Sequence, residues 1–285
     1  MPEFSIITCT YNCSRFIDRC YQSILDQNDS GWEWIVVDDC SEDNTYEKIC
    51  RFNDQRIKYF RLEKNMGRGM ARNYALKVSN GEWCIMLDMD DLMMPNRLKE
   101  ARLARQNGYE FMVSSTILIN DKYLFTGVRE VLYNKKLNIF THATLCVRTT
   151  FIKSIGYSNS RYAEDQRVIL MVSNLGKGYY NEMPLYIYHE NASLSLSGAI
   201  TSNKYAFLNI FNLFLKNPKL KWSYRHINYL FSFLFKFMFL SLVNLYPSLY
   251  IKLINRRVKS SVDILPNKAV ITELLQKFSI HFPIN

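Results

Sequence analysis

The feature that most constrains the fold is an alternation of short apolar runs with helical patterns along the first 110 residues. Apolar runs of strand length lie at 4–9, 34–37, 57–61 and 82–87. Segments with apolar residues at helical spacing separate these runs. Because the runs are apolar on both faces, they are typical of parallel strands that helices cover on both sides. The alternation predicts an α/β fold with a doubly wound, mostly parallel sheet.

Aspartates follow two of the predicted strands at the edge where open α/β sheets bind ligands. Asp38 and Asp39 end the second strand, and Asp88, Asp90 and Asp91 follow the fourth. Three carboxylates within four residues repel one another unless a cation or a proton intervenes. Oxygen ligands at this spacing suit Mg²⁺ or Mn²⁺, which take further ligands from a phosphorylated substrate. Acids at two strand ends therefore predict a nucleotide-diphosphate site, and a solvated acidic turn is the alternative.

Later segments predict further helices and strands. The predicted elements are a helix from Pro95 to Asn107, strands at 110–119, 122–128 and 143–148, a helix at 149–155, and a helix with Glu164 and Asp165 in its first turn that ends at Gly176. Asn12 or Ser14 is the predicted N-cap of the first helix, and Ser41 is that of the second.

Composition favours an intracellular globular protein. The chain has 285 residues, of which 48% are hydrophobic, which is enough for a sizeable core. The seven cysteines form no C-x-x-C pair and are odd in number, so we interpret them as reduced thiols. Pro2 and Glu3 lead directly into the first strand, so we expect no secretory leader. These features predict a cytoplasmic location.

The positive charge of the protein lies in its last 85 residues. The net charge is +10, yet residues 1–200 carry equal numbers of acidic and basic side chains, and residues 201–285 carry twelve Lys and Arg against two acids. Within this part, 227–254 is nearly continuous in Phe, Leu, Tyr, Ile and Met. Polar residues recur there at multiples of four, which predicts a helix with one narrow polar stripe. Pro247 would kink or split this helix.

Three interpretations of residues 222–259 compete. A membrane span would place Lys236 and Asn244 at bilayer depth, where polar groups are costly. A helix packed on the body, or on a second subunit in a homodimer, would need enough protein to cover its phenylalanines. An interfacial helix explains the stripe, the aromatic residues and the flanking cations, which would meet anionic lipid, and we favour it. A nucleic-acid surface is disfavoured, because base-stacking aromatics stand among polar residues rather than in an apolar block.

Five ordered motifs resemble those of family 2 glycosyltransferases, which are inverting enzymes of the GT-A fold. They are the strand and turn at 4–12, the strand and turn at 35–41, the segment 65–73, the strand and D-x-D at 81–91 with Pro95, and Glu164-Asp165. The resemblance covers about residues 3–195. It implies a Rossmann-like sheet in a catalytic domain at 1–200, with the nucleotide sugar on about 1–110 and the acceptor on about 111–200. Residues 201–285 would then be an aromatic-rich helical extension.

The resemblance also implies roles for residues of the donor site. Thr10, Tyr11 and Asp39 would hold the nucleotide base, with Asp39 accepting from a ring N–H, and this match favours a UDP-sugar. Arg72 would lie beside the nucleotide and its diphosphate, and a surface arginine paired with an acid is the alternative. Asp88 would contact the ribose or a metal-bound water.

For the metal and the chemistry, the resemblance implies Asp90 as a direct ligand of Mn²⁺ or Mg²⁺ and His189 near the metal or the diphosphate. A satisfied core or surface histidine is the alternative for His189. Asp165 matches the catalytic base, which takes the proton of the acceptor hydroxyl. Glu164 would be a helix-dipole partner, and His142 would border the acceptor pocket.

Two positions depart from the family pattern. Thr8 or Cys9 stands where the family usually has proline after the first strand. Cys40 stands where the D-D-G-S turn of the family has glycine. A cysteine fits this turn if its φ stays negative. The departure at Cys40 concerns the turn and leaves the neighbouring acids unaffected.

Together the motifs predict a metal-assisted hexosyltransferase that moves a sugar from a UDP-sugar to a glycan or lipid-linked glycan at the inner face of the cell membrane. A nucleotidyltransferase would need a glycine-rich phosphate loop after the first strand, and residues 10–13 contain no glycine. A haloacid-type phosphatase would carry its D-x-D after the first strand. A non-catalytic, membrane-associated sugar-nucleotide-binding protein would not need acids at all three places.

Overall fold

One mixed sheet of nine strands organises the described part of the chain. The computed structural model describes residues 1–121, 123, 125–131, 140–190, 196–216 and 224–243. The strands are β1 (Phe4–Thr10), β2 (Trp32–Asp38), β3 (Ile57–Arg61), β4 (Trp83–Met86), β5 (Leu92–Met93), β6 (Phe111–Ile119), β7 (Phe125–Arg129), β8 (Cys146–Arg148) and β9 (Gly178–His189). The helices are α1 (Ile17–Leu25), α2 (Thr45–Cys50), α3 (Arg68–Val78), α4 (Arg97–Gln106), α5 (Thr149–Ile155), α6 (Gln166–Leu175), α7 (Leu196–Lys216) and α8 (Tyr224–Val243). Single 3₁₀ turns lie at Ser14–Phe16 and His142–Thr144.

Strands β1 to β4 form the parallel half of the sheet, in the order β3-β2-β1-β4. All seven residues of β2 are buried, because helices cover both faces. On one face Ile35 packs in a cluster with Ala71 of α3, and on the other Trp34 packs in a cluster with Ile17 of α1. This arrangement confirms the predicted doubly wound parallel sheet.

The other half of the sheet is mixed. Strand β8 lies antiparallel between β4 and β6, β6 pairs parallel with β9, and β7 forms a hairpin with β6. The short β5 pairs with β9 and ties the segment after the acid cluster to the strand that ends at His189. The predicted strand at 143–148 is shorter than expected, because a 3₁₀ turn occupies its first residues. Strand β5 was not predicted, since two residues show no periodicity.

Several helices begin later than their predicted caps. Asn12 has a φ of 52°, outside the helical range, and its side-chain oxygen accepts from the N–H of Glu42. The hydroxyl of Ser41 accepts from the N–H of Asn12 at 2.9 Å. Asp165 is the N-cap of α6 rather than a residue of its first turn. Helices α1, α2, α4 and α6 start at Ile17, Thr45, Arg97 and Gln166.

Two helices of the C-terminal part are described. Helix α7 runs across residue 200, the predicted domain boundary, and packs against α6 and α8. Tyr229 and Leu230 of α8 are buried, so one face of α8 packs on the protein. The predicted helix at 227–254 is described only as far as Val243, and Pro247 lies outside the described residues. In the part of the chain that the structure describes, no helix is both long and apolar enough to span a membrane.

Cys40 adopts a backbone conformation that favours glycine. Its φ is +70°, so the condition that φ stays negative is not met. A left-handed conformation costs an L-residue about 1–2 kcal/mol, and the thiol gains a weak contact to the carbonyl of Glu63 at 3.7 Å and one with Arg61. The turn therefore forms at a cost that glycine would not carry.

We expect Cys40→Gly to raise the free energy of unfolding by about 1 kcal/mol, because glycine relieves the left-handed strain. Urea unfolding of both proteins measures the change. The control is Cys50→Gly, at the end of α2. This change should lower the free energy of unfolding by about 0.5–1 kcal/mol. A loss of stability in Cys40→Gly would show that the thiol contacts outweigh the strain.

Candidate active site

A buried arginine links two acids from distant parts of the chain. The guanidinium of Arg72, on α3, donates to Glu164 at 2.7 Å and to Asp88 at 2.9 Å. Asp88 follows β4, and Glu164 lies just before α6. Gly69 allows α3 to approach the segment before α6, since a Cβ there would lie 2.2 Å from the carbonyl oxygen of Ser158. Arg72 is thus a buried bridge and not the surface arginine of the alternative prediction.

The bridge sets the charge of its members. Burial alone would lower the pKa of Arg72, but Asp88 and Glu164 outweigh burial and raise this pKa well above its usual value. Burial alone would raise the pKa of Asp88. The combined effect of Arg72, His142 and Arg68 is larger than that of burial, so the pKa of Asp88 is lowered. Asp88 therefore stays ionised at neutral pH.

Glu164 has a larger role than the sequence suggested. It is 2% exposed, it pairs with Arg72, and it also lies 3.4 Å from Nε of Arg68. Its Oε2 atom is buried and has no hydrogen-bond partner among the described residues. The prediction of a helix-dipole partner is wrong, because the carboxylate is used in a buried ion pair. No local pattern could have identified this role, since Arg72 lies 92 positions earlier.

Asp165, next to Glu164, has a pKa above its usual value. Burial is the main cause and Glu164 adds to it, whereas Arg72 and Arg68 act in the opposite direction. The amide of Gln166 donates to Asp165 Oδ1 at 3.4 Å. A carboxylate with a raised pKa binds a proton more tightly, which is the property that a general base requires.

Asp88 and Asp165 open onto one cavity of about 460 Å³. A cavity of this size lies in the range of small-molecule sites. Its charged lining also includes Arg68, Arg72 and Glu164. Helices α7 and α8 contribute Ser202, Ala206, Tyr229 and Phe233 to the lining, which the sequence did not predict. Asp90 is not among the residues that line this cavity.

His142 lines the same cavity. Its Nε2 atom lies 2.7 Å from the hydroxyl of Tyr157. Burial, followed by the charge of Arg72, lowers the pKa of His142 to about 3, so the ring is neutral at physiological pH. Its place at the border of an acceptor pocket stays a prediction.

The other two acids of the cluster lie toward the end of β9. Asp91 is buried and accepts from the hydroxyl of Tyr186 at 2.7 Å and from the backbone N–H of His189 at 2.8 Å. These bonds fix the segment that carries Asp90. Burial, and then Asp88, raise the pKa of Asp90, whereas His189 lowers it. The acids of the cluster therefore repel one another, as their spacing predicts.

His189 is a buried histidine, 3% exposed, whose ring makes little polar contact. Neither ring nitrogen has a hydrogen-bond partner within the described ranges, and Nε2 lies 3.4 Å from Asp121 Oδ1. The ring stacks on Tyr123 with centroids 5.5 Å apart. Buried polar atoms without partners are rare in proteins, and imidazole beside a carboxylate is a donor set that divalent metals use.

His189 has ring nitrogens without partners in the described part of the chain and lowers the pKa of Asp90, which makes these two side chains candidate ligands of a divalent cation that takes its other ligands from substrate and water. Among the residues the structure describes, no three His, Cys, Asp or Glu side chains could hold a metal without such help. A site of this kind would depend on the phosphates of the substrate.

The predicted base-binding residues lie together at the edge where β1 and β2 end. The backbone N–H of Asp39 donates to the carbonyl of Thr10 at 2.8 Å, and Tyr11 is exposed beside it. The carboxylate of Asp39 accepts from the N–H groups of Met66 and Gly67 at 2.7 and 2.8 Å. Asp39 therefore fixes the loop before α3, and its contact with a base stays a prediction.

Comparison with known proteins identifies the class. Residues 5–158 match the sequence model of Glycosyl transferase family 2. The match covers more than half of the chain and includes Arg72 and the acid cluster at 88–91, although it ends before Asp165. The chain belongs to this family.

Individual relatives and structures agree with this assignment. WfgD of Escherichia coli, a UDP-Glc:alpha-D-GlcNAc-diphosphoundecaprenol beta-1,3-glucosyltransferase, is 36% identical over 137 residues, which are 47% of this chain and 54% of WfgD. The chain thus spans about half the length of the curated relatives it matches. The structure of S. aureus TarS 1-349 in complex with UDP-GlcNAc matches with a TM-score of 0.63 at 23% identity, over 83% of this chain and 72% of the TarS 1-349 chain.

A second solved structure covers nearly the whole chain. Mannosyltransferase PcManGT from Pyrobaculum calidifontis, in complex with GDP-Man and Mn²⁺, has a TM-score of 0.60 at 16% identity over 98% of this chain and 85% of PcManGT. These likenesses confirm the GT-A fold, a mostly parallel sheet flanked by helices.

Proposed function

We propose that this protein is an inverting glycosyltransferase that moves a sugar from a UDP-sugar to a hydroxyl of a glycan or lipid-linked glycan. The observation that carries the proposal is the single cavity onto which Asp88 and Asp165 both open, since donor and acceptor must meet in one place. Membership of the family supports sugar transfer. The donors in the WfgD name and the TarS structure support a UDP-sugar, and the diphosphoundecaprenol in the WfgD name supports a lipid-linked acceptor.

In this proposal the reaction is one displacement. Asp165 takes the proton of the acceptor hydroxyl as its oxygen attacks the anomeric carbon of the sugar. The bond from that carbon to the phosphate oxygen breaks, and the electron pair leaves with the diphosphate. The products are UDP and the glycosylated acceptor with inverted configuration. Arg72 and Arg68, both at the cavity wall, offset the charge that grows on the diphosphate.

Asp90 and His189 would hold a Mn²⁺ or Mg²⁺ ion, with donor phosphates and water as further ligands. A bound cation would neutralise charge on the departing diphosphate. Support comes from the ring nitrogens of His189 that lack partners among the described residues. It also comes from Asp90, since burial and then Asp88 raise the pKa of this carboxyl and a cation would stabilise its ionised form.

Release of UDP from a panel of UDP-sugars tests the proposal. The protein is incubated with Mn²⁺ and with UDP-glucose, UDP-galactose, UDP-GlcNAc or UDP-GalNAc, with water as the acceptor. We expect slow release of UDP from at least one of them, and less release after removal of the metal with EDTA. No release of UDP from any of the four UDP-sugars would contradict the proposed donor.

The proposal includes attachment of the predicted segment 222–259 to an anionic membrane surface at the inner face of the cell membrane. On α8 the exposed side chains Phe231, Phe235, Met238 and Phe239 share one face by their spacing. Helices α7 and α8 carry Lys and Arg but no Asp or Glu. An exposed aromatic face with cations and without acids supports binding at a lipid interface.

We expect Phe235→Ser/Met238→Ser to reduce flotation with phosphatidylglycerol liposomes at least about tenfold, because both side chains would enter the interface. They are 70% and 56% exposed, so the fold should tolerate the change. Raised salt should weaken binding of the unchanged protein. The control is Tyr46→Ser/Met183→Ser, which removes side chains of similar exposure from the body. Equal flotation of the two double variants would contradict the membrane proposal.

A further inference from the structure

Helix α8 reaches into the candidate active site, although it lies outside the residues that match the family model. Tyr229 and Phe233 line the cavity and pack edge to face with ring centroids 5.0 Å apart. Tyr229 is 8% exposed. The inner face of α8 therefore forms a wall of the cavity, whereas Phe231 and Phe235 point outward.

Tyr229 also begins a chain of hydrogen bonds that ends at Asp165. Its hydroxyl donates to Gln166 Oε1 at 2.7 Å, and Gln166 Nε2 donates to Asp165 Oδ1 at 3.4 Å. A glutamine amide has an acceptor end and a donor end. Because the hydroxyl of Tyr229 occupies the acceptor end, the NH₂ group faces the carboxylate. Without that hydroxyl, the amide could rotate and present its oxygen to Asp165.

We propose that Tyr229 is a positioning residue for Asp165, which it orients through Gln166, so that helix α8 completes the active site. The role of Asp165 as general base rests on the proposed function. The hydrogen bonds from Tyr229 through Gln166 to Asp165 do not depend on it. The relay would hold one carboxylate oxygen in place and leave the other to accept the proton of an acceptor hydroxyl.

The pKa of Asp165 depends on the charged groups around it and on its hydrogen bond from Gln166. Glu164 adds to the effect of burial and raises the pKa of Asp165, whereas Arg72 and Arg68 of α3 and the bond from Gln166 lower it. On α8, burial and then Asp165 raise the pKa of Tyr229. Burial raises the pKa of Tyr157 well above its usual value, and Cys9, Cys84 and Asp165 add to this effect although Arg72 lowers this pKa. Both tyrosines are therefore protonated over the range in which Asp165 titrates.

The test is a ¹³C NMR titration of the aspartate carboxyl carbons in the full chain, with the Asp165 signal assigned by its loss in Asp165→Asn. We expect Tyr229→Phe, which keeps the ring and removes only the hydroxyl, to raise the titration midpoint of Asp165 by about half a pH unit. Gln166→Leu should raise it at least as much, and the double variant should equal Gln166→Leu. Tyr205→Phe, the same change at an exposed tyrosine of α7, should leave the midpoint unchanged.

An unchanged midpoint in Tyr229→Phe, with or without a shift in Gln166→Leu, would overturn the proposal. With a UDP-sugar that the protein hydrolyses, Tyr229→Phe should lower kcat about fivefold, as expected for one hydrogen bond. It should also move the acidic limb of the rate profile to higher pH, with the donor KM unchanged. If no UDP-sugar is hydrolysed, the proposed function fails, whereas the NMR titration still decides whether Tyr229 orients Asp165.

Discussion

Replacing Asp165 by asparagine is expected to lower the kcat of UDP release or sugar transfer about a thousandfold, within the range that general bases contribute. Asparagine has nearly the same shape as aspartate but cannot take a proton from the attacking hydroxyl. The Kd for UDP should stay within about twofold, because the proposed donor contacts lie with Arg72 and Asp88 and not with this carboxylate. Steady-state kinetics and calorimetric titration with UDP measure the two quantities.

The matched control is Asp18→Asn on α1. Asp18 is an exposed acid that pairs with Lys48 at 3.1 Å, and an exposed pair of this kind contributes little. This variant should keep the kcat of the unchanged protein. Loss of UDP binding in Asp165→Asn would assign the residue to the donor site, and an unchanged kcat would remove it from the chemistry.

Replacing Arg72 by leucine is expected to lower the free energy of unfolding by about 3–5 kcal/mol, because it leaves Asp88 and Glu164 without their buried partner. UDP binding should weaken as well, since a cation is lost beside the diphosphate. Arg72→Leu/Glu164→Gln should regain part of the stability, because it removes one of the unpaired charges. Urea unfolding at pH 7 measures the free energy of unfolding of the unchanged protein, the single variant and the double variant.

The stability loss in Arg72→Leu should depend on pH. Arg72 lowers the pKa of Asp88 in the folded protein, so the stability from this pair is present above the unfolded pKa of about 3.9 and is lost as pH falls through the folded value. The variant instead gains stability as its unpaired carboxylates become protonated. The difference in free energy of unfolding between Arg72→Leu and the unchanged protein should therefore become smaller from pH 7 to pH 4.

Arg161→Leu is the control for lost arginine packing. Arg161 is exposed and contacts Asn65, so its replacement should change stability by less than about 0.5 kcal/mol at both pH values. The contradicting result is a free energy of unfolding of Arg72→Leu that lies below that of the unchanged protein by the same amount at pH 7 and pH 4. That result would show that packing, and not charge, makes Arg72 important.

Much of the fold could be predicted because its signals are local. Strand β3 and helix α5 begin and end at the predicted residues, 57–61 and 149–155, where apolar residues and flanking polar ones mark the ends. Helix starts were less predictable, because a polar side chain can be used in more than one way. Asn12 and Ser41 both look like caps, yet they hydrogen-bond across the loops at the end of the sheet.

The acids of the site could be predicted because parallel strands end at a shared edge, which places Asp39 and Asp88 there without knowledge of the tertiary structure. The ion pair between Arg72 and Glu164 could not be predicted from the sequence, because 92 positions separate the two residues and no local pattern connects them. The position of α8 also escaped prediction. Its spacing shows a wide apolar face but not which part of that face packs on the protein, and the structure divides it between buried Tyr229 and exposed Phe235.

The most direct test of the central claim, that donor and base meet in one cavity, is a crystal structure of the protein with UDP and Mn²⁺. We predict that the diphosphate lies against Arg72 and the ribose beside Asp88, with Asp165 lining the same cavity and space for an acceptor hydroxyl next to Asp165. The uracil should lie beside Thr10, Tyr11 and Asp39. A diphosphate bound outside the cavity that Asp165 lines would contradict the account.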